Sequence, residues 1–175
     1  MIFVWNAETA ERVHLMTLPK GSRSVSALGF SSDGNYISAA DMSDDHNVHL
    51  FDLLQTDKKG KCLHLGSVKK DRKKVFQIMW NPIKPSSFVS VGLEHIFFWN
   101  TSPKLSAKKA SPMPQASKKG GKLGFPSVAF SKQGNAYLAG SDGTVYSFNS
   151  GGAKSKTFPK THAKMISAIN VVPHP

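Results

Sequence analysis

Asp41, Ser43, Asp44, Asp45 and His46 are the densest run of chemically capable side chains in this 175-residue sequence. Oxygen ligands at alternating positions suit a calcium ion, but a calcium loop also needs a glycine at its sharp turn and a closing glutamate, and neither stands here. Short Asp and Ser side chains in a polar run accept backbone N–H groups, so the expectation is a shaped turn. Ser43 and His46 are a nucleophile and a base by type. Acyl chemistry also needs a third group to orient the base and donors for an oxyanion, and the run offers neither. The seven histidines lack metal-binding spacing such as His-Glu-x-x-His. The single Cys62 forms neither an internal disulfide nor a cysteine-based zinc site. Gly120-Gly121 and Gly151-Gly152 lack the Lys-Ser/Thr pair of a phosphate loop. No catalytic residue, metal or cofactor is assigned, and binding by a non-enzyme is expected.

Charge supplies the binding candidates. Twenty-three Lys and Arg stand against eleven Asp and Glu, a formal net charge of +12. Such a balance calls for an acidic partner: nucleic acid, an anionic membrane or an acidic protein surface. The cations cluster as Lys20 and Arg23; Lys69, Lys70, Arg72, Lys73 and Lys74; Lys118, Lys119 and Lys122; and Lys160 and Lys164. Lys104, Lys108 and Lys109 lie in Thr101 to Leu123, which holds no acidic residue. Nucleic acid is disfavoured, because the aromatics occupy strand positions and no stacking platform interleaves them with the cations. No apolar run approaches the roughly 20 residues that span a bilayer, and the N-terminus has no secretory-signal pattern, so no membrane association and a cytoplasmic setting are expected.

The elements that position these clusters repeat. Val4-Trp5-Asn6, Leu50-Phe51-Asp52, Phe98-Trp99-Asn100 and Ser147-Phe148-Asn149 each close an apolar run with an aromatic and then Asn or Asp. A second marker runs in step: Phe30-Ser31-Ser32-Asp33-Gly34-Asn35, Trp80-Asn81-Pro82 and Phe130-Ser131-Lys132-Gln133-Gly134-Asn135. Two markers at one blade-like period predict a β-propeller. Alternating runs bounded by turn residues divide the chain into 1–18, the end of a blade; 24–68, a whole blade; 75–123, a blade with a Lys/Ser/Pro-rich insertion at 101–123 read as a loop; 125–158, another blade; and 165–175, the first strand of the next. The fold class is all-β, an incomplete arc of about three and a half four-stranded blades. Closed propellers take roughly four to eight, so the remaining blades are expected elsewhere in a larger parent protein. In this arrangement the loops from each fourth strand to the next first strand share one face and carry the basic clusters as a crescent.

The third-strand endings resemble WD repeats, with Trp-Asn, Phe-Asp, Trp-Asn and Phe-Asn where the family has Trp-Asp. Taken with Asp41 to His46, with Thr9 and Val13-His14, and with Val75-Phe76 through Trp80-Asn81-Pro82 to Phe98-Trp99, the stretch Ile2 to Val171 resembles the first propeller of echinoderm microtubule-associated protein-like (EMAP-like) proteins. That resemblance implies a microtubule-associated scaffold binding tubulin or microtubules, placed on the cytoskeleton and compatible with a cilium or axoneme. Lys69, Lys70, Arg72, Lys73, Lys74, Lys118, Lys119 and Lys122 are then the expected contacts to tubulin's acidic surface. The alternative is a general WD-repeat interaction scaffold without direct microtubule contact.

Overall fold

The computed structural model describes residues 1–69, 71–116, 121–159 and 161–172. The described residues form strands and no helix. A two-stranded sheet of β1 (Ile2–Trp5) and β2 (Arg12–Met16) is followed by three four-stranded blades. Blade 1 is β3 (Val25–Phe30), β4 (Tyr36–Asp41), β5 (Val48–Thr56) and β6 (Cys62–Val68). Blade 2 is β7 (Val75–Trp80), β8 (Ser87–Gly92), β9 (His95–Asn100) and β10 (Ser106–Lys109). Blade 3 is β11 (Ser127–Phe130), β12 (Ala136–Ala139), β13 (Val145–Phe148) and β14 (Lys154–Phe158). Every sheet is an antiparallel meander in chain order, and no pairing joins β1 and β2 to blade 3, so the arc is unclosed.

The repeated markers have a local cause. Wherever the aromatic of the third strand ends, the next side chain caps the following turn. Asn6 Oδ1 accepts from the N–H groups of Glu8 and Thr9, Asp52 Oδ1 from Leu54, Asn100 Oδ1 from Ser102, and Asn149 Oδ1 from Gly151 and Ala153. The second marker does the same between first and second strands, where Ser31 Oγ accepts from Tyr36, Asn81 Oδ1 from Ile83, and Ser131 Oγ from Gln133 and Asn135. Asx and Ser turns fix where each hairpin reverses, and so fix strand register.

Apolar packing lies between sheets. Ile2, Met16, Ile37, Phe51 and Leu53 join the half-blade to blade 1. Val48, Leu50, Ile78, Trp80, Phe88 and Trp99 join blades 1 and 2, with ring centroids 4.7 Å apart for Trp80 and Phe88 and 5.4 Å for Phe88 and Trp99. Phe98, Phe125, Leu138 and Phe148 join blades 2 and 3. Trp80 also staples blade 2 to blade 1, its indole N–H shared between Ser38 Oγ (2.8 Å) and the Gly29 carbonyl (2.9 Å).

Two local expectations change. The stretch 101–123 is not all loop: Ser106–Lys109 supplies the fourth strand of blade 2, antiparallel to β9. Residues 165–172 form no strand, because no second strand among the described residues offers them a ladder. Their N–H groups at Ile166 and Ile169 instead reach the Gly140 carbonyl and Ser127 Oγ. Trp5 is 60% exposed, whereas Trp99, stacked on Phe88 within the core between blades 1 and 2, is 2% exposed.

Candidate functional site

Because successive strands are antiparallel, the loops joining second to third strands emerge at the same end of the blades as the loops joining one blade to the next. The basic loop between β6 and β7 therefore meets the turns β4–β5 and β8–β9. This convergence sets the local electrostatics.

The backbone of that loop is tied down through Asp71. His95 Nδ1–H donates to Asp71 Oδ1 (2.9 Å), and the Lys73 N–H donates to the same oxygen (3.2 Å). Ser90 Oγ–H donates to His95 Nε2 (2.8 Å), and Trp99 Nε1–H donates to Ser90 Oγ (2.8 Å). Burial, the largest single influence, raises the Asp71 carboxyl pKa, but the hydrogen bonds from His95 and the Lys73 N–H, with the attraction of His95 and Lys109, together outweigh it and hold the group below the ordinary value. Asp, His and Ser in hydrogen-bonded order match the residue types of a hydrolytic triad. Here Ser90 is fully buried and already accepts from Trp99, so the chain of bonds is a strut from strand β9 to the basic loop. Gly92 lies against the Lys74 carbonyl, and the Leu93 N–H donates to that oxygen (3.1 Å).

Asp41 performs the same task one blade earlier. Its carboxylate accepts from the Ser43 N–H (3.1 Å), Ser43 Oγ (2.6 Å), the Asn47 N–H (2.9 Å), His49 Nε2 (2.9 Å) and Ser22 Oγ (2.7 Å). Burial pushes its pKa up, and the bonds from Ser43, His49 and Ser22 push it down further, leaving it well below the usual carboxylate range. The Asp41 to His46 run is thus a shaped turn. Among the described residues no group of His, Cys, Asp and Glu is placed to hold a metal ion.

The predicted contact residues divide sharply. Lys69 Nζ is 2.6 Å and Arg72 Nε 3.6 Å from Asp45 Oδ1. Lys73 Nζ is 2.7 Å from Glu94 Oε2, a hydrogen bond that raises the Lys73 pKa and lowers that of Glu94. Lys109 and Lys122 lie near enough to lower Glu94 further. Lys74 and Lys122 are exposed. Lys70, Lys118 and Lys119 lie outside the described residues. Arg23 is 3.0 Å from Asp44. Sequence reasoning located the cations and missed their carboxylate partners, which lie in the β4–β5 and β8–β9 turns.

Residues 12–52 match the WD40 family, described as WD domain, G-beta repeat. The chain is 28% identical over 153 residues to the 77 kDa echinoderm microtubule-associated protein of Strongylocentrotus purpuratus, covering 86% of this chain and 21% of that protein. It is 28% identical over 148 residues to the ciliary WD repeat-containing protein ctxp80 of Euplotoides octocarinatus, covering 82% and 19%. It is 23% identical over 180 residues to human echinoderm microtubule-associated protein-like 3, covering 99% and 19%. The chain thus spans about a fifth of the length of these relatives. Among solved structures, the β-propeller domain of Myceliophteria thermophila Cps50 (Swd1) superposes with a TM-score of 0.72 at 18% identity, covering 94% of this chain and 50% of that one. The computationally designed Ika4 protein gives 0.68 at 15% identity, covering 93% and 88%. The fold is a WD-type β-propeller arc, and the similarity to EMAP-like proteins runs along most of the chain.

Proposed function

We propose that this chain is a non-enzymatic, microtubule-associated propeller scaffold that binds tubulin or microtubules through the end of the blades carrying the β6–β7 and β10–β11 loops. The observation that carries the reading is the backbone of residues 71–74, tied to buried His95 through Asp71 and to Leu93 through the Lys74 carbonyl, with the cationic side chains of Lys69, Arg72, Lys73 and Lys74 at the surface. A pre-set loop loses little conformational freedom when an acidic surface docks. Microtubule-associated and ciliary relatives support a cytoskeletal or ciliary setting. The contact is electrostatic and collective, since exposed charge pairs are weak singly and screened within about 8 to 10 Å at physiological salt.

Co-sedimentation with microtubules across a salt series tests it. The variant for comparison has Lys69, Lys70, Arg72, Lys73, Lys74, Lys118, Lys119 and Lys122 changed to Glu. Salt-sensitive pelleting that this variant loses is the expected result. Equal pelleting by both forms overturns the assignment of the face, and absence of pelleting by either favours a general interaction scaffold.

A further inference from the structure

Three cations of the β6–β7 loop, Lys69, Arg72 and Lys73, are paired with carboxylates of this chain. Asp45, from the β4–β5 turn of blade 1, takes Lys69 and Arg72, and Glu94, from the β8–β9 turn of blade 2, takes Lys73. Carboxylates from two consecutive blades therefore occupy the positions that an acidic partner would occupy. All five side chains are substantially solvent-exposed, from 36% for Glu94 to 77% for Arg72, so exchanging one carboxylate for another needs no unfolding.

Glu94 sits in a tight turn whose backbone suits glycine. Its φ is +50°, in the left-handed region, which costs a side chain with a Cβ and suits glycine or asparagine. The β12–β13 turn of blade 3 places Gly143 in that region, with φ +81°. His46 of the β4–β5 turn and Ala10 of the β1–β2 turn share that region, with φ +47° and +55°, so the conformation belongs to the turns and a glycine at position 94 would fit its backbone.

We infer that Asp45 and Glu94 are built-in competitors for the β6–β7 cations, occupying the site in the unbound chain and setting how acidic and how multivalent a partner must be to displace them. The partner class is an extended acidic peptide or an acidic protein surface presenting several carboxylates at once. A single carboxylate gains nothing by replacing one already in place, whereas a run of them engages Lys69, Arg72 and Lys73 together with Lys74 and Lys122. This inference rests on the acidic-partner reading above and adds a threshold to it.

The test uses the 175-residue chain and a fluorescein-labelled deca-glutamate peptide, read by fluorescence anisotropy from low to physiological salt. Asp45→Asn with Glu94→Gln removes both competitors. Asp45→Asn with Glu94→Gly removes them while suiting the left-handed backbone, so a shared result is independent of folding. Glu8→Gln with Glu11→Gln makes the same change in net charge at the β1–β2 turn, at the opposite end of the strands. Both Asp45/Glu94 variants are expected to bind roughly threefold to tenfold tighter than the parent at low salt, the gain shrinking as salt screens the pairs. The Glu8/Glu11 control is expected to change by less than about twofold. Equal or weaker binding by the Asp45/Glu94 variants shows that the carboxylates orient the cations instead of competing for them, and overturns the inference. If the charge-reversed variant loses microtubule pelleting while the neutralised variants show no gain, the threshold fails and the docking face stands. If no form binds deca-glutamate and pelleting is indifferent to charge reversal, both fail.

Discussion

Gly92→Ala probes the mechanical link between blade 2 and the basic loop. Gly92 pairs with Val75 in the β7–β8 ladder, its carbonyl accepts from the Phe125 N–H (2.9 Å), and the next residue donates to the Lys74 carbonyl. A Cβ at Gly92 would collide with that carbonyl oxygen and stand 2.9 Å from its carbon and 3.0 Å from Val75 Cα. All three obstacles are backbone, so no rotamer relieves them. Overpacking of this kind costs about 1–3 kcal/mol, and losing the Leu93 to Lys74 bond adds about 0.5–1.5 kcal/mol. Reduced freedom of the unfolded chain returns about 0.4–1 kcal/mol, leaving a net loss of about 0.5–4 kcal/mol centred on about 2 kcal/mol. At about 2–4 °C per kcal/mol for a domain of this size, the central loss of about 2 kcal/mol should lower Tm by about 4–8 °C in a far-ultraviolet circular dichroism melt. Gly124→Ala is the matched control. Its added Cβ meets Phe76 and Ser141 at 3.8 Å, an ordinary contact, and its Tm should stay within about 2 °C of the parent. A Gly92→Ala melt as close to the parent as the control refutes the claim that β8 braces the loop at Lys74.

Two further perturbations test the buried polar ties. Ser90→Ala leaves His95 Nε2 and Trp99 Nε1 without partners in a buried site, at about 1–3 kcal/mol for each orphaned group; a loss below about 1 kcal/mol in urea unfolding contradicts the strut. His64 stands with its ring centroid 5.5 Å from that of His49, and burial, then His49, lowers its pKa below the ordinary value. A folded-state pKa depressed below the unfolded one means that the unfolded chain binds more protons. This contribution to stability is present above about pH 6.5 and is lost as pH falls below it. Unfolding free energies from pH 8 to pH 5.5 should fall less steeply for His64→Phe than for the parent, and equal slopes would rule out His64 as a contributor.

The blades are legible because their signals are local. An aromatic followed by Asn or Asp caps the next turn within two to four residues, so the marker and the bond it makes sit together in sequence. Strand β10 gives no such sign. Ser106-Ala107-Lys108-Lys109 lacks apolar alternation and joins the sheet through backbone pairing with β9. Residues 165–171 show the opposite failure, a first-strand pattern without a neighbouring strand. Trp5 matches Trp99 in type but not in burial, because covering depends on a facing sheet: Trp80, on an edge strand, is 5% exposed where it packs on the neighbouring blade.

The basic face is half legible for a related reason. Runs such as Lys69 to Lys74 are visible as runs, whereas ion pairing is a tertiary property, and Lys73 and Glu94 are 21 residues apart in sequence. Reading charge by counting therefore overstates how much of it is available. The two kinds of contact at this loop also differ in strength. Asp71 and His95 form a bond in which the histidine is almost fully buried, and breaking one partner of a buried polar pair is costly. Asp45 and Glu94 form exposed pairs that solvent and salt compete with continuously. The backbone is thus held firmly and the charges loosely, so an acidic partner can take over the cations without disturbing the blade that presents them. Affinity at this face should consequently respond to salt and to surface carboxylates, while the melting temperature responds to Gly92, Ser90 and the interior between the blades.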